Sequence, residues 1–364
     1  MQIRLSFFLI TLFVLSLNAQ TILEADGPGN TYELINNVLA PGFDVVESPD
    51  CAHPEFGRHI TEVWDSELNQ YVFEFHMHVT PDNDRCINFD RQRMEIKTYD
   101  KSPANLLGVV GETITYKWKF RLPVGFKVSS NFTHLHQIKA VGGDADDPIF
   151  VLTARKGNPN KMELNYYIDS DLSAVKLTTA NLSLFEGVWV EVTERIKLDN
   201  VNGTYSMVIK NVSTGATILS YSNNQMLTIR ANNSFVRPKW GIYRSLLNAQ
   251  DLRDEIVRFA SFSIEEDTTT NFPIVYQSGN RMQISNNLPF GNAEIQYALS
   301  KSSFVKMELL DIVGKQVKVL INNLSQNAGN YSCKFDSSKL PDDLYIVRLQ
   351  TDDWKSTAKM IVKN

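Results

Sequence analysis

From about Thr113 onward the sequence alternates apolar and polar residues in short runs, a pattern that suits half-buried β-strands and little else. The runs are Thr115–Leu122, Phe150–Thr153, Lys161–Tyr167, Trp189–Thr193 and Thr204–Ile209. Turn formers such as Asn202-Gly203 and Gly157-Asn-Pro159 separate them. Almost no convincing amphipathic helix competes with these runs, and no repeat recurs at a solenoid or propeller period. The pattern predicts an all-β chain whose main part is a sandwich of the jelly-roll kind.

At 364 residues the chain is long for one core, so two domains are expected. Residues 1–19 read as a signal peptide: Arg4 starts it, an apolar run follows from Leu5 to Leu17, and Leu17-Asn18-Ala19 offers a small-residue cleavage site. The run is shorter than the roughly 20 apolar residues a membrane span needs, and no later stretch is apolar enough to cross. Residues 20–266 form the predicted sandwich, and the polar stretch Glu265–Asn271 followed by Pro273 reads as a linker over 267–277. A second, smaller β pattern fills 278–364. Its pieces Asn287-Leu-Pro289, Leu310–Lys315, Ala328-Gly329, Leu340–Arg348 and Lys359–Asn364 resemble the type A sorting domain of the type IX secretion system. The rival for a small β tail is a carbohydrate-binding module. The closing Lys-Met-Ile-Val-Lys favours the sorting domain, which implies the type IX machinery as a partner and a secreted destination.

The formal net charge of -5 argues against nucleic acid as a partner. An anionic ligand would have to be held by a local basic cluster. Cys51 and Cys86 could bridge in an exported protein or stay buried thiols, and Cys333 stands apart. No Cys-x-x-Cys pair exists, which excludes a structural zinc site of that type.

All six histidines fall between His53 and His136, with pairs at strand spacing, His76/His78 and His134/His136. Such a pair can bind a metal only if a third ligand comes from elsewhere. Three basic strands say more. Alternation over Arg91–Lys97 puts Arg91, Arg93, Glu95 and Lys97 on one face, with Gln92, Met94 and Ile96 on the other. Over His134–Lys139, Gln137 and Lys139 share the open face if Ile138 packs inward. Over Arg237–Arg244, Lys239, Gly241 and Tyr243 alternate with Trp240 and Ile242. A charged strand face is usually just solvated, yet three such faces would line a concave sheet with cations, an amide and a phenol. Gly241 is expected to let a sugar approach the backbone closely.

Here the sequence resembles jelly-roll alginate lyases and their relatives, which carry Arg-x-Glu-x-Arg, Gln-Ile-His and Lys-x-Gly-x-Tyr strands. The matching stretches are Arg93-Met-Glu95-Ile-Lys97, Gln137-Ile138-Lys139 and Lys239-Trp-Gly241-Ile-Tyr243, in the same order. The wider text from Cys51 to Glu265 is most similar to ulvan lyases of polysaccharide lyase family 28. That resemblance implies an anionic, uronate-containing polysaccharide as substrate, cleaved by β-elimination. It implies Tyr243 and Lys139 as catalytic groups, and a substrate-binding set of Arg93, Gln137, His134, His136, Lys239, Arg244 and Glu95. Gln137 and Arg93 would neutralise the uronate carboxylate. Lys139 stands where alginate lyases have His, so the base is either Lys139 or Tyr243. A phenol and an ammonium both ordinarily titrate near 10, and neighbouring cations would favour the deprotonated form of each. No cofactor is required, and a structural calcium ion is compatible with the reading. The rivals are a glycoside hydrolase, which needs two opposed carboxylates, a non-catalytic carbohydrate-binding jelly roll, and a lyase for glucuronan or alginate.

Overall fold

The computed structural model describes residues 20–267, 282–285, 292–299 and 301–362. The expected signal peptide and nearly all of the expected linker lie outside the described residues. Residues 20–266 form a β-jelly-roll sandwich of two antiparallel sheets. The back sheet runs Thr217–Met226, Gly203–Asn211, Val190–Lys197, Thr113–Arg121, Glu255–Glu266, Gln70–Met77 and Ile60–Asp65, with Gln20–Leu23 also pairing to Glu255–Glu266. The front sheet runs Val175–Asn181, Lys161–Tyr166, Phe150–Arg155, Thr133–Val141, Phe235–Ser245, Arg91–Lys97 and Val46–Glu47.

Each strand contributes alternate side chains to the core between the sheets. Trp118 from one sheet meets Trp240 from the other, Phe262 packs on Trp240, and Phe120 packs on Phe259. Each large apolar side chain sequestered there contributes about 1.5–3 kcal/mol. The polar faces are left outside, and on the front sheet they become a groove. One short helix, Thr31–Leu39, packs Ile35 and Leu39 into this core, an element the sequence reading did not anticipate.

The Cys51–Cys86 bridge is formed, tying the N-terminal segment to the loop before the Arg91–Lys97 strand. It closes a separation of 35 residues. On a chain-entropy basis the double variant Cys51→Ser/Cys86→Ser should lose about 3–4 kcal/mol, read as a lower denaturation midpoint. A midpoint unchanged from the parent would show that other contacts already restrain this loop.

Residues 282–362 contribute a three-stranded sheet (Met282–Ser285, Asn292–Leu299, Gly329–Asp336) and a four-stranded sheet (Gln316–Gln326, Ser303–Leu310, Asp343–Gln350, Lys355–Val362). Ile295, Val305, Met307, Val347 and Met360 form their own core.

Candidate active site

Three neighbouring strands of the front sheet, Arg91–Lys97, Phe235–Ser245 and Thr133–Val141, bring together the sequence-predicted residues. Their registers set Tyr243 opposite Arg93 on one side and His134 on the other, and Lys239 opposite Lys97 and Gln137. Above them lies a groove of about 270 Å³, lined by Arg91, Arg93, His134, Gln137, Lys139 and Tyr243, with Phe132, Arg155, Tyr167 and the Asp146–Pro148 loop completing it.

Beneath the groove is a buried ionic lattice. Lys239, 2% exposed, sits between Glu47 (2.5 Å) and Glu95 (2.7 Å). Arg93 reaches Glu95 at 2.8 Å and Asp84 at 3.0 Å, and the Gln137 amide donates to Glu95. Lys97 and Arg85 each bind Glu47 at 2.8 Å. Burial alone would raise the Glu95 and Glu47 carboxyls, but Lys239 and Arg93 outweigh it and hold both below the usual range. Burial draws Lys239 down to about 8, which leaves it charged at neutral pH. Glu95 and Lys239 therefore serve as a foundation that fixes Arg93 and Gln137 at the floor of the groove. That corrects the expectation that they bind substrate themselves.

Tyr243 stands on this foundation. Its hydroxyl accepts a hydrogen bond from Arg91 at 2.9 Å, the Arg93 guanidinium lies 3.8 Å from its ring centre, and Phe132 packs at 5.0 Å. Lys139 faces the same groove and donates to the Asp146 carbonyl at 2.9 Å. Burial, together with Arg237 and Arg93, lowers its pKa from lysine's ordinary 10.5. His134 places Nδ1 3.0 Å from the Thr153 hydroxyl, which itself donates to the Thr133 carbonyl. Thr153 thus accepts from Nδ1–H, which assigns the neutral tautomer with an unprotonated Nε2. Burial, with Arg155 beside it, pushes this imidazole down to about 3.

Two expected site residues lie elsewhere. A bulge between His134 and His136 breaks the alternation of that strand and turns His134 to the groove, while His136, two residues before Ile138, points with it into the core. There its Nε2 lies 2.8 Å from Glu194, and its ring packs on Trp118 and Trp240. His134 and His136 therefore cannot share a metal. Arg244 is also wholly buried on the core side, donating to Gln92 at 2.7 Å and to the Arg253 carbonyl. Gly241 has a different task from the one expected. At φ +145° an added Cβ would lie 2.0 Å from the Met94 carbonyl oxygen, so glycine serves the close approach of two strands rather than of a sugar. Sequence reasoning missed Glu47, Arg155, Tyr167 and Phe132. Arg91 was placed on the correct face but given no role.

Residues 289–363 match a protein family described as a secretion system C-terminal sorting domain. The tail is thus a sorting domain. No curated protein matches the chain. Among solved structures, a family 7 alginate lyase, A1-II', in complex with substrate is similar at 15% identity and TM-score 0.43, over 64% of this chain and 99% of that one. Alginate lyases from Pseudomonas aeruginosa (12% identity, TM-score 0.39, 60% of this chain and 96% of that one) and Chlorella virus (9% identity, TM-score 0.37, 61% and 98%) are similar too. Identity at this level carries no residue roles across.

Proposed function

We propose that this chain is a polysaccharide lyase acting on a uronate-containing glycan by β-elimination. Within that class we infer an ulvan lyase, exported through the type IX route that its sorting domain serves. The observation that carries the class is a phenol held by Arg91 inside a cationic groove, with a lysine of lowered pKa on the same floor.

The reaction removes the proton at C5 of the uronate and breaks the C4–O bond. The carboxylate beside C5 must be neutralised so that the enolate-like transition state is stabilised. Arg93 and Gln137, held in place by Glu95, supply that field at the groove floor, and Arg155 adds charge. Lys139, in its neutral form, takes the C5 proton. His134 is too weakly basic for that task, because its conjugate acid is strong. Tyr243 gives its proton to the departing O4, and Arg91 meets the negative charge left on the phenolic oxygen.

A glycoside hydrolase fits less well. Glu95 is ion-paired and cannot hold a proton at neutral pH. The other carboxylates lining the groove, Asp146 and Asp147, are chain neighbours rather than an opposed pair. The preference for ulvan rests on the sequence resemblance across 51–265. Incubation with ulvan, glucuronan and alginate, followed by unsaturated-uronate absorbance, tests both levels. Absorbance from glucuronan or alginate but not ulvan would overturn the finer assignment. Reducing ends without absorbance on any of them would overturn the class.

The lowered pKa of Lys139 also predicts a pH profile. A base acts only when deprotonated, so kcat/KM should rise with pH along a limb whose midpoint lies below 10.5. Lys139→Met should lose most activity, and its residual rate should lack that limb. The same limb persisting in Lys139→Met would assign the titration to another group.

A further inference from the structure

Outside the residues that line the groove, three histidines and an aspartate converge. Nδ1 of His53 and Nε2 of His59 lie 3.1 and 3.2 Å from Oδ1 of Asp82, and Nδ1 of His78 lies 3.1 Å from Oδ2. One donor atom from each of the four residues lies within 4.8 Å of the others. In a tetrahedral zinc shell with bonds of about 2.0–2.1 Å, donors sit about 3.3 Å apart, so side-chain adjustments of about 1 Å would close this set around an ion. The other nitrogen of His59, Nδ1, lies 2.8 Å from Asp50. A carboxylate behind a ligating imidazole is the arrangement that fixes ring orientation at metal centres. His59 and the Asp82 side chain are fully buried, His53 and His78 are about one-fifth exposed, and Phe56 packs over the cluster with its ring 4.4–5.4 Å from those of His53, His59 and His78.

The geometry points to a structural transition-metal site, most simply Zn²⁺, bound by His53, His59, His78 and Asp82. Three imidazoles and one carboxylate are a nitrogen-rich donor set, whereas calcium and magnesium take six or more oxygens. Four protein ligands leave no open position for substrate, so the ion would be structural rather than catalytic. Its location gives it a task. Asp82 opens the loop whose Asp84 accepts from Arg93 at 3.0 Å and whose Arg85 binds Glu47 at 2.8 Å. Gln92 anchors the same loop through the Asp82 carbonyl. The ion and the Cys51–Cys86 bridge would together hold that loop against the foundation of the groove. The proposal is independent of the reaction the groove performs.

The test uses the full chain without a histidine tag, stripped with a chelator and then dialysed against Zn²⁺. About one zinc per chain should be retained, and Co²⁺ in its place should give the intense visible bands of a tetrahedral site. With zinc about a hundredfold above its dissociation constant, the melting midpoint should rise by about 5–10 °C. His53→Gln and His78→Gln, at partly exposed positions, should fold yet lose both the zinc and the shift. Well under one zinc per chain in folded, bridged protein would overturn the site, as would full zinc retention in both variants.

Discussion

Tyr243→Phe is expected to fold and bind polysaccharide like the parent while losing elimination by about a hundred- to ten-thousandfold. The phenyl ring keeps the cation–π contact with Arg93 and the packing against Phe132, so the floor of the groove is undisturbed. Only the oxygen is lost, and with it the proton that the leaving O4 needs. Arg91 loses its hydrogen-bond partner at the groove but keeps Asp90, at 2.7 Å from its Nε, so it is not stranded. Initial rates from unsaturated-uronate absorbance, beside a melting curve and a substrate-affinity measurement, separate chemistry from folding and binding. Activity within about tenfold of the parent would remove Tyr243 as the acid and overturn the mechanism.

The largest stability effect should come from Lys239→Met. Removing the ammonium leaves Glu47 and Glu95 facing each other in the interior, and breaking such a buried pair costs about 3–5 kcal/mol. For a domain of this size that is a fall in melting midpoint of about 6–20 °C. Adding Glu95→Gln should recover part of the loss. The remaining carboxylate, Glu47, still has Lys97 and Arg85. A Lys239→Met midpoint equal to the parent's would mean that these carboxylates are compensated without Lys239. A double variant no better than the single one would locate the cost outside Glu95.

Strand alternation made much of the groove legible. The period of two correctly separates Arg91, Arg93, Glu95 and Lys97 from the buried Gln92, Met94 and Ile96. It likewise separates Lys239 and Tyr243 from Trp240 and Ile242. It fails where the backbone breaks the period. The bulge before His136 turns His134 out to the groove although His136 and Ile138 point inward, and no local sequence feature announces it. Arg244 misled for another reason. Alternation alone puts it with Trp240 and Ile242, but its charge invited a substrate role. Burial satisfied by Gln92 and the Arg253 carbonyl was not foreseeable from residue type. Glu47 was invisible because it arrives on a two-residue edge strand with no pattern of its own. The histidine cluster escaped notice because its four members come from loops and strand ends, where spacing along the chain says nothing of proximity.

The strand Phe235–Ser245 lies in the middle of the front sheet, between Arg91–Lys97 and Thr133–Val141, although it is among the last of the sandwich to be synthesised. Arg91 and Tyr243 are 152 positions apart. Until that strand inserts, its two neighbours each present an open edge, and Glu95 waits without Lys239. Such long-range pairing folds slowly. A product of the ribosome that stops short of Tyr243 carries the early cations without the phenol, so on the proposed mechanism the groove gains its acid only when this late strand inserts.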